Sequence, residues 1–306
     1  METENLSSTS DILIVGFSDL PHLQALLFSV FLVLYLLILS GNLLIVATVS
    51  GNSQLHTPMY FFVAMLSLID ITYTSVVLPP MLTHFFLKDL HVSLTKCLLQ
   101  MTLFVAVAAA EVVLLTVMAY DRYVAICNPL HYSSIMNLAV CMRLATGSWL
   151  IGLMVALPFT VAVYGFSYCG SHTINHFFCD MTALMKITCT STHMIEIFIY
   201  AFGASTTLGS FILIIISYVN IISSILKIKA KGGSGKAFST CASHLTVVVV
   251  FYASLCATYV RPKSAMGDSK ISSLTYIIIS PLCNPIIYSL KNTDFKNALR
   301  KKNNKS

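Results

Sequence analysis

Apolar residues in this chain run in long blocks separated by short polar stretches. Seven blocks reach or exceed the roughly 20 residues that a helix needs to cross a bilayer. They run Leu23–Thr48, Pro58–Phe86, Cys97–Ala119, Leu144–Tyr164, Met194–Ile225, Ala237–Tyr259 and Ile271–Leu290. Stretches such as Leu26–Ser40 and Phe211–Ser217 are apolar on every side, which fits helices facing lipid. A membrane β-barrel would instead show short segments of alternating polarity. The pattern predicts an all-α membrane protein, a seven-transmembrane helix bundle at 23–290. An N-terminal tail occupies 1–22 and a second tail 291–306. Leu290, Phe295, Ala298 and Leu299 can form one apolar stripe on the inner leaflet with lysines outward, which predicts a short amphipathic helix.

Composition agrees. Of 306 residues, 57% are hydrophobic and 10% charged, and the mean hydropathy is +0.82. Soluble domains carry about 25% charged residues, so a soluble enzyme is excluded. Disorder is excluded as well, because disordered chains are poor in aromatics and rich in charge.

An odd number of spans puts the termini on opposite sides, and the positive-inside rule picks the orientation. With the N-terminus outside, the cytoplasmic side holds Arg122, Arg143, Lys227, Lys229, Lys231, Lys236, Lys291, Lys296, Arg300, Lys301, Lys302 and Lys305. The outer side holds only Lys88, Lys96, Lys186, Arg261, Lys263 and Lys270. The first 22 residues contain Glu2, Glu4, Asp11 and Asp19 but no Lys or Arg. The expectation is a multi-pass plasma-membrane protein, N-terminus extracellular and C-terminus cytoplasmic, with its first span as targeting signal. The net charge of +6 is then a topology signal. It predicts contact with anionic lipid of the bilayer or a cytoplasmic partner, and no nucleic acid. Asn5-Leu6-Ser7 is a glycosylation sequon on the outer side, whereas Asn304-Lys305-Ser306 falls in the cytoplasm and is expected to go unused.

Two ionisable residues sit inside predicted spans: Asp70 and Glu111. Each costs about 2.5–3.5 kcal/mol at mid-membrane, so both should face the bundle interior. There they could share a Na+ ion, a proton or water, or form a purely structural hydrogen-bonded pair. Asn42 and Asn284 are candidate partners. Pro281 and Pro285 interrupt the last span, as a hinge or a static kink. Asp121-Arg122-Tyr123 closes the third span; Arg122 can snorkel to the interface, fold back on Asp121 or reach a partner. A transporter or channel would need a continuous polar path or paired broken helices, and neither is visible. No His-Glu-x-x-His or Gly-x-Ser-x-Gly motif points to an enzyme.

At these residues the chain resembles the olfactory (odorant) receptors, a branch of the rhodopsin-like G-protein-coupled receptors. The resemblance rests on Gly41-Asn42, Leu55-His56-Thr57-Pro58-Met59-Tyr60-Phe61-Phe62 and the block Met118-Ala119-Tyr120-Asp121-Arg122-Tyr123-Val124-Ala125-Ile126-Cys127. It continues through Asn128-Pro129-Leu130-His131-Tyr132, Ser217-Tyr218, the block from Lys236 to Leu245, and Pro281-Leu282-Cys283-Asn284-Pro285-Ile286-Ile287-Tyr288. The short outer loop before the last span is similar to that of the tetrapod-type second class. Cys283 and Lys291 depart from the family's usual Leu and Arg. Tyr252 stands where most rhodopsin-like receptors carry Trp, as in other odorant receptors.

The resemblance implies a receptor, not an enzyme, that binds a small hydrophobic odorant and activates a heterotrimeric G protein of the stimulatory, olfactory type, raising cyclic AMP. The alternative is the same receptor type used as a chemoreceptor outside the nose. No cofactor is implied, apart from a Na+ ion or proton near Asp70 and Glu111, with Asn42 and Asn284. Asp121, Arg122, Tyr123, Tyr218, His244, Asn284, Pro285 and Tyr288 are implied for switching and coupling. The pocket is expected in the outer half, between spans three, five, six and seven. Counting helical turns outward from Asp121 places Phe104, Val105, Ala108 and Ala109 on the inner face of span three. The same counting suggests Phe202, Gly203 and Thr206 in span five, Tyr252, Leu255 and Tyr259 in span six, and Ile277 in span seven. None of these is charged, which favours a neutral, volatile-sized ligand.

Cys97, Cys169, Cys179 and Cys189 face the oxidising side, and four cysteines allow three pairings. The resemblance favours Cys97–Cys179 with Cys169–Cys189; Cys97–Cys189 is the alternative. Cys127, Cys141, Cys241, Cys256 and Cys283 are expected as free thiols. A disulfide-bonded Cys179 cannot supply a thiolate ligand. His172, His176 and Asp180 alone make a poor metal site, and no metal is expected.

Overall fold

The computed structural model describes residues 11–17, 21–86, 90–169, 172–229, 235–259, 269–290 and 293–303. Asn5 and the sequon at Asn304 lie outside them. The helices are α1 (Gln24–Ser50), α2 (Pro58–Thr83), α3 (Leu94–Cys127), α4 (Tyr132–Ile135), α5 (Leu138–Tyr164), α6 (Met181–Met185), α7 (His193–Lys229), α8 (Gly235–Tyr259), α9 (Ser269–Leu290) and α10 (Thr293–Asn303). Five of them, α1, α2, α3, α5 and α7, are long and apolar enough to cross a membrane. α8 and α9 contribute shorter apolar stretches, Cys241–Cys256 and Tyr276–Tyr288.

Local chemistry sets several ends. Pro58 opens α2, where its missing N–H costs nothing. Asn137 caps α5 by accepting from the Val140 N–H at 3.0 Å. α3 runs two turns past the predicted end at Ala119, so Asp121-Arg122-Tyr123 lies within a helix.

α3 is the central helix and packs on α2, α5, α7 and α8, while α9 packs on α1, α2 and α8. The tightest of these contacts is between α3 and α5. Ala145, Ser148, Gly152 and Ala156 form a buried stripe of small residues on α5, and Ala106 and Ala110 of α3 are buried against Gly152. Small residues let helix backbones approach closely where no hydrophobic effect drives association. The outer faces stay apolar and uncovered: Leu26, Val30, Val33, Leu36 and Leu37 on α1, and Leu150, Met154, Leu157 and Val161 on α5. This is the surface of a multi-pass membrane protein.

The fold is mostly helical, as expected, with one small sheet beside the helices, and the expectation for the last helix needs correction. Strand β1 (Asp11–Ile14) pairs antiparallel with β2 (Leu90–Ser93) and parallel with β3 (Thr173–Ile174), giving the order β2-β1-β3. Asp11–Ile14 of the N-terminal tail therefore pairs with the segments that precede α3 and α6. Gly16 turns the chain at φ 55°. Phe17 then stacks on Phe177 at 4.0 Å and Phe85 at 5.3 Å. Strands this short, paired with partners distant in sequence, leave no periodic signature. The correction concerns α10. Phe295 and Ala298 are buried in the main core and Leu299 packs against it, so this stripe faces protein and not the leaflet. The side chain of Leu290 lies outside the described residues.

Candidate functional site

Three groups of residues lie along the bundle. At one end of the bundle, disulfides join Cys97 to Cys179 and Cys169 to Cys189, while Cys127, Cys141, Cys241, Cys256 and Cys283 are free. Asp180 caps α6 by accepting from the Thr182 N–H at 3.0 Å. His176 is buried against Phe178. Among the described residues no three His, Cys, Asp or Glu side chains converge on a metal site.

Next to these disulfides Phe104 stacks on Tyr73 at 5.0 Å and meets Phe178 at 5.0 Å. Tyr73 meets Tyr276, and Tyr276 meets Phe251. Tyr252 is buried against Phe251 and Phe211. Its hydroxyl has no hydrogen-bond partner among the described residues. Ile277 is fully buried, and Val105, Ala108 and Leu255 are half-buried beside the core. The Phe202 ring packs edge-on to Phe159 of α5 at 5.9 Å, and Ala109 is buried in the same outer cluster as Val155 and Phe159. Turn counting gives a face but not the neighbour that occupies it. Thr206 donates to the Phe202 carbonyl of its own helix at 2.9 Å. Gly203 borders open space, and the Tyr259 side chain lies outside the described residues.

The centre holds the buried polar groups. Asn284 donates to Asp70 Oδ2 at 2.9 Å, and Ser280 donates to Glu111 Oε1 at 3.1 Å. Both carboxylates are almost fully buried. Pro285 has no N–H to offer the Pro281 carbonyl one turn back. Asn42 of α1 supplies the missing donor at 3.1 Å and so ties α1 to the kinked α9. Gly41 permits this approach, since a Cβ there would lie 3.2 Å from the Pro285 ring. Asp70 Oδ1 and Asn42 Oδ1 are buried without hydrogen-bond partners among the described residues. They are acceptors suited to a cation, a proton carrier or water. Ser280 was not singled out in the sequence, because a serine in a span gives no signal of its own.

At the opposite end Arg122 folds back on Asp121, donating through Nε at 2.9 Å and through Nη2 in an ion pair. Only 12% of the Arg122 side chain is exposed, so it does not snorkel. Tyr132 of α4 donates to the other carboxylate oxygen of Asp121 at 2.8 Å. Burial, and then the Asp121 carboxylate, push the Tyr132 hydroxyl above the ordinary phenol range, which keeps it protonated and donating. Tyr218 bonds His244 Nδ1 at 2.7 Å. Tyr123 is half-buried beside Tyr120. A small cavity of about 10 Å³, roughly one water molecule, is lined by Met59, Phe62, Met118, Asp121, Arg122, Ser243, His244 and Tyr288. The Tyr288 hydroxyl is buried there without a hydrogen-bond partner among the described residues.

Membrane-length helices surround two buried carboxylates, with a closed arginine–carboxylate pair at one end, in a multi-pass membrane protein. The chain belongs to the olfactory receptor family, whose family model, described as olfactory receptor, matches residues 31–304. It is 44% identical to olfactory receptor 2D2 of Homo sapiens, over 98% of both chains. It is 45% identical to olfactory receptor 9G4 of Homo sapiens, over 98% of this chain and 93% of that one. Olfactory receptor 1G1 of Gorilla gorilla gorilla is 43% identical over 98% and 97%.

Proposed function

We propose that this receptor spans the membrane seven times with its N-terminus outside. It binds a small, neutral, hydrophobic, volatile-sized ligand in the outer half of the bundle and activates a stimulatory, olfactory-type G protein, raising cyclic AMP. Cys97 and Arg122 lie toward opposite ends of α3, and a disulfide needs an oxidising space, which supports this orientation. The ligand would sit among Phe104, Val105, Ala108, Tyr252, Leu255 and Ile277, a set without charge. The Tyr252 hydroxyl, without a hydrogen-bond partner among the described residues, is its polar anchor. Asp70, Glu111, Asn42 and Asn284 hold a Na+ ion, a proton or water between the two ends.

The observation that carries this reading is the closed Asp121–Arg122 pair beside Tyr218, His244 and Tyr288. A buried pair of this kind is a two-state element that a ligand biases by binding one state better. A 100-fold preference for the active state amounts to about 2.7 kcal/mol. In that state Arg122 leaves Asp121 and meets the G protein.

The test is cyclic AMP in cells that express the tagged receptor with an olfactory-type stimulatory G protein, exposed to a panel of volatiles. The expected result is a dose-dependent rise that disappears in Arg122→Ala at equal surface display. A response that survives the substitution would overturn the mechanism.

Tyr132→Phe removes one hydrogen bond to the Asp121 carboxylate and leaves the ring. Bonds to a charged group contribute about 1.5–3 kcal/mol, so the closed state loses a measurable share of its advantage. Ligand-free cyclic AMP is expected to rise several-fold at unchanged display. An unchanged basal signal would show that Tyr132 does not hold the closed state.

A further inference from the structure

Pro80 lies inside α2, so the Val76 carbonyl one turn earlier loses its helical N–H partner. Gln100 of α3 fills the gap: its Nε2 donates to that carbonyl at 2.9 Å. The other end of the same amide, Oε1, accepts from the backbone N–H of Cys179 at 3.0 Å. The orientation of the amide is fixed by its surroundings, because the flipped form would face carbonyl to carbonyl and N–H to N–H. Gln100 thus joins three segments: a proline-interrupted span, the central helix and the outer loop. It sits one turn from Phe104 and bonds the residue next to Phe178, and these two rings meet at 5.0 Å.

We infer that Gln100 is the positioning residue for the roof of the outer pocket, its single amide locking the freed carbonyl of α2 to the loop segment that lays Phe178 on Phe104. This rests on the outer-half ligand pocket proposed above. The disulfide alone tethers Cys179 but leaves the backbone free to rotate about the bridge; the Gln100 bond removes that freedom. The device also explains why α2 tolerates Pro80 at its outer end.

The proposal is tested on the full-length tagged receptor at the cell surface with Gln100→Glu, Gln100→Met, Pro80→Ala and the double variant Pro80→Ala/Gln100→Glu. The glutamate keeps the acceptor for Cys179 and loses the donor to Val76. Pro80→Ala returns a backbone N–H to the Val76 carbonyl, so the lost donor is no longer needed. The first readout needs no ligand: the rate at which dithiothreitol opens Cys97–Cys179, followed by maleimide-polyethylene glycol labelling. Gln100→Glu is expected to speed reduction by about tenfold, the equivalent of one buried hydrogen bond. In the Pro80→Ala background the same substitution is expected to change it by less than about threefold. A residue needed only for general packing would give equal effects in both backgrounds, and that result would overturn the proposal. If Gln100→Met reaches the surface, it should open the bridge faster than Gln100→Glu; a wild-type rate would also overturn it. The second readout is the potency of the first volatile that activates the wild type in the cyclic AMP assay, expected to weaken in Gln100→Glu with the maximal response kept. A wild type that answers no volatile would count against the ligand reading, while the reduction cycle still decides the role of Gln100.

Discussion

Replacing Gly152 with leucine is expected to remove the receptor from the cell surface, and even Gly152→Ala should lower display severely. A Cβ at this position would lie 2.2 Å from the Ala106 carbonyl oxygen and 3.0 Å from the Ala110 Cβ and backbone nitrogen. The obstacle is mostly the backbone of α3, which cannot swing aside like a flexible side chain. Overpacking a tight contact costs about 1–3 kcal/mol, and here relief requires moving α5 away from the central helix. The same shift would open the stripe that Ala145, Ser148 and Ala156 bury. The control is Gly147→Ala on the same helix, where a Cβ meets nothing within 4 Å. That variant gains helix propensity, about 1 kcal/mol per residue for Gly to Ala, and should be displayed at least as well as the wild type. Surface staining of the tagged receptors separates the two. Equal display of Gly152→Ala and Gly147→Ala would show that α3 and α5 do not pack as described.

Cys97→Ser and Cys179→Ser should each lose most surface display, and the double variant should be no worse than either. Both side chains are almost fully buried, and their bridge closes a sequence separation of 82. Removing a native disulfide costs about 2–5 kcal/mol in small secreted domains. Here the bridge also anchors the loop segment that carries Phe177 and Phe178. Cys169→Ser and Cys189→Ser should lose less. That bridge spans a separation of 20. Its ends are also held by backbone bonds, Cys169 N–H to the Ile187 carbonyl at 3.3 Å and Cys189 N–H to the Ser167 carbonyl at 2.9 Å. Flow cytometry on the single and double variants measures both effects. Additive losses in Cys97→Ser/Cys179→Ser would mean that the two thiols act separately.

The sequence by itself determined that this is a helical membrane protein, where the apolar blocks lie and which family it joins. Those properties depend on local composition and on motifs contiguous in the chain. It also singled out Asp70 and Glu111, because a charge inside an apolar block is costly wherever the helix ends up. It did not show that Ser280 serves Glu111, that Tyr132 serves Asp121, or that Gln100 and Asn42 repair carbonyls freed by Pro80 and Pro285. Each of those pairings joins different helices, and the side chains involved are ordinary until a partner is known. Phe202 and Ala109 were placed on a face by turn counting, but only packing decided that α5 meets it. The strand at Asp11–Ile14 and the buried Phe295 were decided in the same way. Short segments have too little pattern of their own, and their structure comes from the distant residues that satisfy their backbone or cover their apolar side chains.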